Sequence, residues 1–208
     1  MSTAREQMLD RIRGALGPAP AAPAPPRDYR QTGAAPGTPG LVELFCERVA
    51  DYRANVVKVS REREIKEAIA AACEARGSSR VMRAPGASWV TDFPADSPDT
   101  SAAELDRVDA ALTGCALGIA ETGTIVLDGS PLCGRRALTL VPDHHICVVR
   151  ADQVVAGVPD AIEALADAAR EGRPLTFVSG PSATSDIELE RVEGVHGPRN
   201  LDVIAVLP

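Results

Sequence analysis

Aromatic side chains are scarce in this 208-residue chain: one Trp, two Tyr and three Phe, or 3% of the residues. A platform that stacks nucleobases needs several rings, so the composition offers little for single-stranded nucleic acid. Basic excess is missing too. Lys and Arg number 22 against 29 Asp and Glu, a net charge of −7. Without a basic block the chain lacks the phosphate contacts that dominate nucleic-acid affinity. No apolar run approaches the roughly 20 residues that span a bilayer. The first 17 residues carry Arg5, Glu6, Asp10, Arg11 and Arg13, where a secretory signal would carry an apolar core. The expectation is a cytoplasmic protein with no nucleic-acid partner and no membrane span. Five cysteines, Cys46, Cys73, Cys115, Cys133 and Cys147, include no C-x-x-C pair. That excludes a zinc ribbon or a locally clustered iron–sulfur motif and leaves free, partly buried thiols. Neither G-x-G-x-x-G nor G-x-x-x-x-G-K-[ST] occurs, so no nucleotide fingerprint is present. No cofactor and no metal are expected in this chain.

What is present suits a soluble globular domain: 45% hydrophobic and 25% charged residues. Residues 1–16 hold a short amphipathic helix, with Met8, Leu9, Ile12, Ala15 and Leu16 near one face and Gly17-Pro18 ending it. Residues 17–40 are mostly Pro, Ala and Gly. Such a segment has too little apolar bulk to offset its ordering entropy and reads as an extended linker. The body is 41–208. Helices are expected at Leu41–Arg53, Glu62–Arg76 and Pro159–Arg170, and a short one at Ser185–Arg191. Strands are expected at Val56–Val59, Arg80–Arg83, Ala116–Ala120, Thr124–Leu127, His145–Val149, Leu175–Val178 and Val203–Leu207. Alternating strands and helices predict an α/β fold, a sandwich around a mostly parallel sheet.

Three segments join polar residues to glycines beside apolar strands. In Glu121-Thr122-Gly123-Thr124 a strand-end carboxylate stands next to a glycine that admits close approach. Glu121 then suits a nucleophile or general base, or else a turn glutamate paired with Arg135 or Arg136. The segment from Asp128 to Arg136 offers two arginines whose planar forks match carboxylate or phosphate, or is a solvated hairpin tip. His144 and His145 follow. Neighbours on a strand face opposite sides, so at most one of them faces a given site. The third segment is Gly180-Pro181-Ser182-Ala183-Thr184-Ser185-Asp186-Ile187-Glu188, with His196 close behind. A strand enters a glycine turn and then a helix start, the place where open α/β sheets bind anions. Ser185 and Glu188 equally form a capping box.

Taken together, Ala120–Thr124, the stretch from Arg136 to Ile146, Ser179–Glu188 and Gly194-Val195-His196-Gly197-Pro198 resemble the LUD domain. The resemblance is nearest to its small lactate utilisation branch and covers 41–208 and the N-terminal helix. It implies a three-layer α/β sandwich like the NagB/RpiA/CoA-transferase group. It also implies a cluster-free component of a bacterial system that oxidises L-lactate to pyruvate, with iron–sulfur clusters held by partner proteins. In fold relatives that transfer CoA, a glutamate after a strand forms an acyl adduct, and Glu121 is its counterpart by context.

Three readings stay open. In the first, the chain is that component, and Thr122, Gly123, Thr124, Arg135, Arg136, His145, Gly180, Pro181, Ser182, Thr184, Asp186, Glu188 and His196 hold a small carboxylate or nucleotide-like ligand. In the second, the chain is a stand-alone acyl- or CoA-type transferase or hydrolase with Glu121 as nucleophile. The third is a ligand-binding module without chemistry.

Overall fold

The structure, a computed structural model, describes residues 3–17, 24–26, 33–185, 191–194 and 196–208. The chain divides into two units, Met1–Arg30 and Gln31–Pro208. The first holds α1 (Ala4–Leu16). The Thr3 hydroxyl accepts from the Glu6 amide, and the Glu6 carboxylate accepts from the Thr3 amide. This reciprocal cap satisfies two donors that the helix itself cannot.

The second unit is built on a five-stranded, all-parallel sheet. Its strands are β1 (Asn55–Val59), β2 (Val81–Arg83), β3 (Ala110–Gly114), β6 (His144–Arg150) and β11 (Asn200–Val206), in the order β1-β11-β6-β3-β2. Helix α3 (Glu64–Arg76) lies on one face. Ile65, Ala68, Ile69 and Ala72 recur at helical spacing and are buried against Ile146, Val148, Ile204 and Val206. Gly77 closes α3 in the left-handed region at φ 65°, where a side chain would be strained. A short α4 (Ala102–Leu105) adds the buried Leu105 to the same cluster.

The other face carries α2 (Pro39–Asp51) and a smaller mixed sheet of β4 (Leu117–Ile119), β5 (Thr124–Leu127), β7 (Val154–Val155) and β8 (Thr176–Val178), in the order β7-β4-β5-β8. Phe45 and Val49 of α2 pack there with Ile125, Cys147, Val149 and Val203. Gly118 is required on β4 because a Cβ would stand 2.9 Å from the Phe45 ring. Helices α5 (Val158–Ala164) and α6 (Ala166–Arg170) cover the outer face of the smaller sheet through Ala161 and Leu165. The α/β architecture around a mostly parallel sheet, with flanking helices, is therefore as expected.

Four local expectations need correction. Ala110–Gly114, unassigned from sequence, is β3, hydrogen-bonded on both sides and wholly buried. Its Ala-Ala-Leu-Thr-Gly composition is weak strand material, and burial between β6 and β2 outweighs propensity. The single helix expected over Pro159–Arg170 is two, parted at Leu165, whose ψ of 1° leaves the helical range. The linker expected to run to residue 40 ends earlier: Gly33 donates to Asp160 Oδ1 at 3.0 Å and Gly37 to the Val154 carbonyl at 3.2 Å. Lastly, the two ends of the short helix expected at Ser185–Arg191 lie on strands, and 186–190 lie outside the described residues. Residues Ala183–Ser185 (β9) pair antiparallel with Arg191–Glu193 (β10).

Candidate functional site

Strand alternation decides the site. On β6, His144, Ile146 and Val148 face α3, while His145, Cys147 and Val149 face the smaller sheet. His145 is 2% exposed and lines a cavity of about 240 Å³. The rest of the lining comes from Arg136, Thr139, Leu201, the stretch from Thr176 to Ser182, and His196-Gly197-Pro198. The cavity thus opens at the amino ends of β6 and β11, where they meet the carboxyl end of β8. The strand-end rule is met by β8 alone.

Each polar group in the cavity has a traceable support. His145 Nε2 shares a hydrogen bond of 2.8 Å with Thr113 Oγ1 of β3, and both residues are buried. Nδ1 has no hydrogen-bond partner among the described residues. Burial lowers the His145 pKa to about 4, with neighbouring His144 and the Arg136 guanidinium acting in the same direction. The imidazole is neutral at physiological pH. Arg136 is half-buried and uses one terminal nitrogen on Thr139, bonding its carbonyl and hydroxyl oxygens at 3.2 Å each. It forms no ion pair among the described residues, and desolvation pulls its pKa down. Among the described residues the lining contains no Asp, Glu or Lys. A desolvated guanidinium with no carboxylate partner among the described residues, beside hydroxyls and a neutral imidazole, suits a small anion.

The turn from Ser179 to Ser182 is held from two sides. Ser179 Oγ is 2.8 Å from Thr124 Oγ1, which is 2.7 Å from Thr122 Oγ1. Ser182 donates its amide to the Pro198 carbonyl and accepts from the His196 amide at 2.9 Å. Gly180 adopts φ +84° against Tyr52, where a Cβ would stand 2.6 Å from the Tyr52 Cβ.

Of the residues singled out from sequence, Arg136, His145, Gly180, Pro181, Ser182 and His196 converge on this cavity. Thr122 and Thr124 support its wall without lining it. Gly123 serves packing: at φ +59° a Cβ would meet the Arg48 backbone at 2.6 Å, so the glycine lets α2 approach. Arg135 is elsewhere. It binds Asp96 through two bonds of 2.7 and 2.9 Å and the Thr100 carbonyl at 2.6 Å. Asp96 is buried, which explains why the adjacent arginine is committed to it. Glu121 is an exposed residue of the β4–β5 turn, beside Gly157, outside the lining. Thr184 lies on β9, paired through its backbone with Val192. Asp186 and Glu188 lie outside the described residues. Sequence reading missed Thr113. The available signal was a polar residue inside an apolar run, one strand away from a histidine.

Beneath the other face, His144 Nε2 bonds Asp202 Oδ2 at 2.8 Å and Nδ1 bonds Ser78 Oγ at 2.9 Å. Asn55 donates to Asp202 at 2.5 Å, and Arg76 stands 3.5 Å away. Burial works against the Asp202 charge, but His144, Asn55 and Arg76 hold its pKa below the usual carboxylate value.

The LUD domain model matches residues 84–206, which include β3, β6, β11 and every lining residue of the cavity. The Lactate utilization protein C of Deinococcus radiodurans is 54% identical over 172 residues, covering 80% of this chain and 79% of that protein. The protein of the same name from an Exiguobacterium species is 32% identical over 129 residues, 59% of this chain and 55% of its own length. A crystal structure of a DUF162 family protein from Deinococcus radiodurans is similar with a TM-score of 0.66 and 48% identity. It covers 80% of this chain and 96% of that one. By sequence match over more than half its length, and by a solved fold at high identity, this chain belongs to the LUD domain family.

Proposed function

We propose that this chain serves bacterial lactate utilisation, and that the cavity around Arg136 and His145 holds the carboxylate of a small acid there. The observation that carries the role is the 54% identity, over four-fifths of the chain, to a protein named for lactate utilisation. The site chemistry supports the ligand class. Arg136 provides a charge without a carboxylate partner among the described residues, and Ser179, Ser182 and Thr139 provide hydroxyls. In the finer reading, the chain is the cluster-free component of a system that oxidises L-lactate to pyruvate, and iron–sulfur partner proteins carry the electrons. The absence of C-x-x-C in the sequence agrees with that division of labour.

The test is anaerobic affinity purification from the native host grown on L-lactate, together with growth of a deletion strain. Co-purification of iron–sulfur proteins in fixed ratio, and loss of growth on L-lactate restored by the wild-type gene, are expected. Normal growth of a deletion strain that has no second copy would overturn the role.

A further inference from the structure

We propose that His145 reads the oxygen on the carbon next to the carboxylate, and that its cavity accepts this oxygen as a hydroxyl or as a carbonyl. This rests on the reading of the cavity as a carboxylate site. The ligand class is then a pair: a small 2-hydroxy acid and the corresponding 2-oxo acid.

The inference starts from an uncommitted nitrogen. His145 is 2% exposed, and its Nε2 is engaged with Thr113 Oγ1 at 2.8 Å. Nδ1 has no hydrogen-bond partner among the described residues, yet no sealed side-chain nitrogen or oxygen among them lacks one. Nδ1 is therefore reached from the cavity that His145 lines. Three hydroxyls of the wall already have partners. Thr139 Oγ1 donates to the Arg136 carbonyl, Ser179 Oγ pairs with Thr124 Oγ1, and Ser182 Oγ accepts from the His196 amide. His196 lines the cavity as well, but it is exposed, and bulk water can meet its ring. A nitrogen inside the cavity is different: a ligand that pairs with it gains, and an analogue that leaves it unmet loses. Leu201 lies opposite His145 in the β11–β6 register and is buried, which places an apolar wall beside the ring for the carbon body of the acid.

Thr113 explains why both oxygens fit. Imidazole is ordinarily neutral above about pH 6.5, and burial pushes the same way. A neutral ring carries one N–H and one bare nitrogen. By rotating, the Thr113 hydroxyl either accepts from an Nε2–H or donates to a bare Nε2. Both ring forms are thus held in the core with no polar atom stranded. In one form Nδ1 is bare and accepts from a ligand hydroxyl. In the other, Nδ1–H donates to a ligand carbonyl. Arg136 takes the carboxylate in either case.

The experiment uses the full chain at about pH 8, where imidazole is neutral. L-lactate, pyruvate and propionate are titrated in by calorimetry. Side-chain 15N spectra are recorded with pyruvate bound, the His145 signals being assigned by their loss in His145→Gln. L-lactate and pyruvate should bind within about 3-fold of each other, and each about 10-fold more tightly than propionate. The pyruvate complex should show a protonated Nδ1. His145→Phe keeps a ring but removes both nitrogens, and should bring L-lactate and pyruvate to the propionate level while propionate binding stays within about 2-fold. Propionate binding as tightly as the other two in the wild type overturns the role of His145 while a carboxylate site remains, and so does a lead of L-lactate over propionate that survives in folded His145→Phe. Tight binding of only one of the two oxygenated acids, or a bare Nδ1 in the pyruvate complex, overturns the dual acceptance. The wild-type comparison and the spectra decide the matter even where His145→Phe does not fold. Failure of all three acids to bind removes the carboxylate reading itself.

Discussion

His144 and His145 are neighbours in sequence and opposites in environment. His144 is sealed between Ser78 and Asp202, in a network that ties the end of α3 to β6, β11 and β1. His145 has one hydroxyl partner and a cavity. Both are 2% exposed. Burial therefore does not distinguish a structural histidine from a candidate functional one. The number of ring nitrogens already spent on the protein does.

The largest effect should come from breaking the sealed side. Asp202→Ala leaves His144, Asn55 and Arg76 without their shared acceptor, and should cost about 3–5 kcal/mol of stability in denaturant titration. Ligand affinity of the fraction that stays folded should be little changed. A loss below about 1 kcal/mol would show that the network is dispensable.

The second effect comes from pH and belongs to the cavity side. His145 titrates near 4 when folded and near 6.5 when unfolded. Between these values the unfolded chain binds the extra proton, so stability is fully present above about pH 6.5 and falls as pH drops toward 4. From pH 7 to pH 5 this one group should remove about 2 kcal/mol. His145→Gln should flatten that part of the pH dependence. An unchanged slope would place a different group behind it.

Third, Arg136→Gln should weaken carboxylate binding by about 10-fold or more, equivalent to about 1.4 kcal/mol. Its stability cost should be small, because the guanidinium pairs with no carboxylate among the described residues. Arg135→Gln should do the reverse, since it strips the buried Asp96 of its partner. Equal effects of the two substitutions on binding would erase the distinction between neighbouring arginines. The smallest effect is expected for Glu121→Gln: affinity within about 2-fold of wild type. A mass adduct on Glu121 after exposure to acyl-CoA thioesters, lost in this variant, would favour the transferase reading instead.

Much of this molecule was legible in its sequence, and the exceptions share a cause. The α3 stripe of Ile65, Ala68, Ile69 and Ala72, with Gly77 behind it, is a local pattern. So is the alternation on β6, from which it follows that only one of the two histidines faces any one site. Six of the candidate residues line the cavity because they fall on three short segments that the fold brings together. The Gly123 assignment was incomplete for the opposite reason: a tight approach was expected, but its occupant is the α2 backbone rather than a ligand. Ser185 shows the same limit. Its capping pattern is a local signal, and the pairing of Ser185 with Arg191 across the β9–β10 ladder is not written in it.

The sequence by itself determined the α/β class, the α3 helix and its stop, and the lack of any cysteine motif for a cluster. These depend on neighbours a few residues apart, so spacing and composition suffice. Tertiary structure decided which histidine meets the cavity, which of two adjacent arginines is spent on a buried aspartate, and that Ala110–Gly114 is a central strand. Those outcomes rest on partners distant along the chain. Thr113 is 32 residues from His145, Arg135 is 39 from Asp96, and His144 is 58 from Asp202. No local periodicity encodes such pairings. They are set when sheets and helices pack and each buried polar group must find a hydrogen-bond partner.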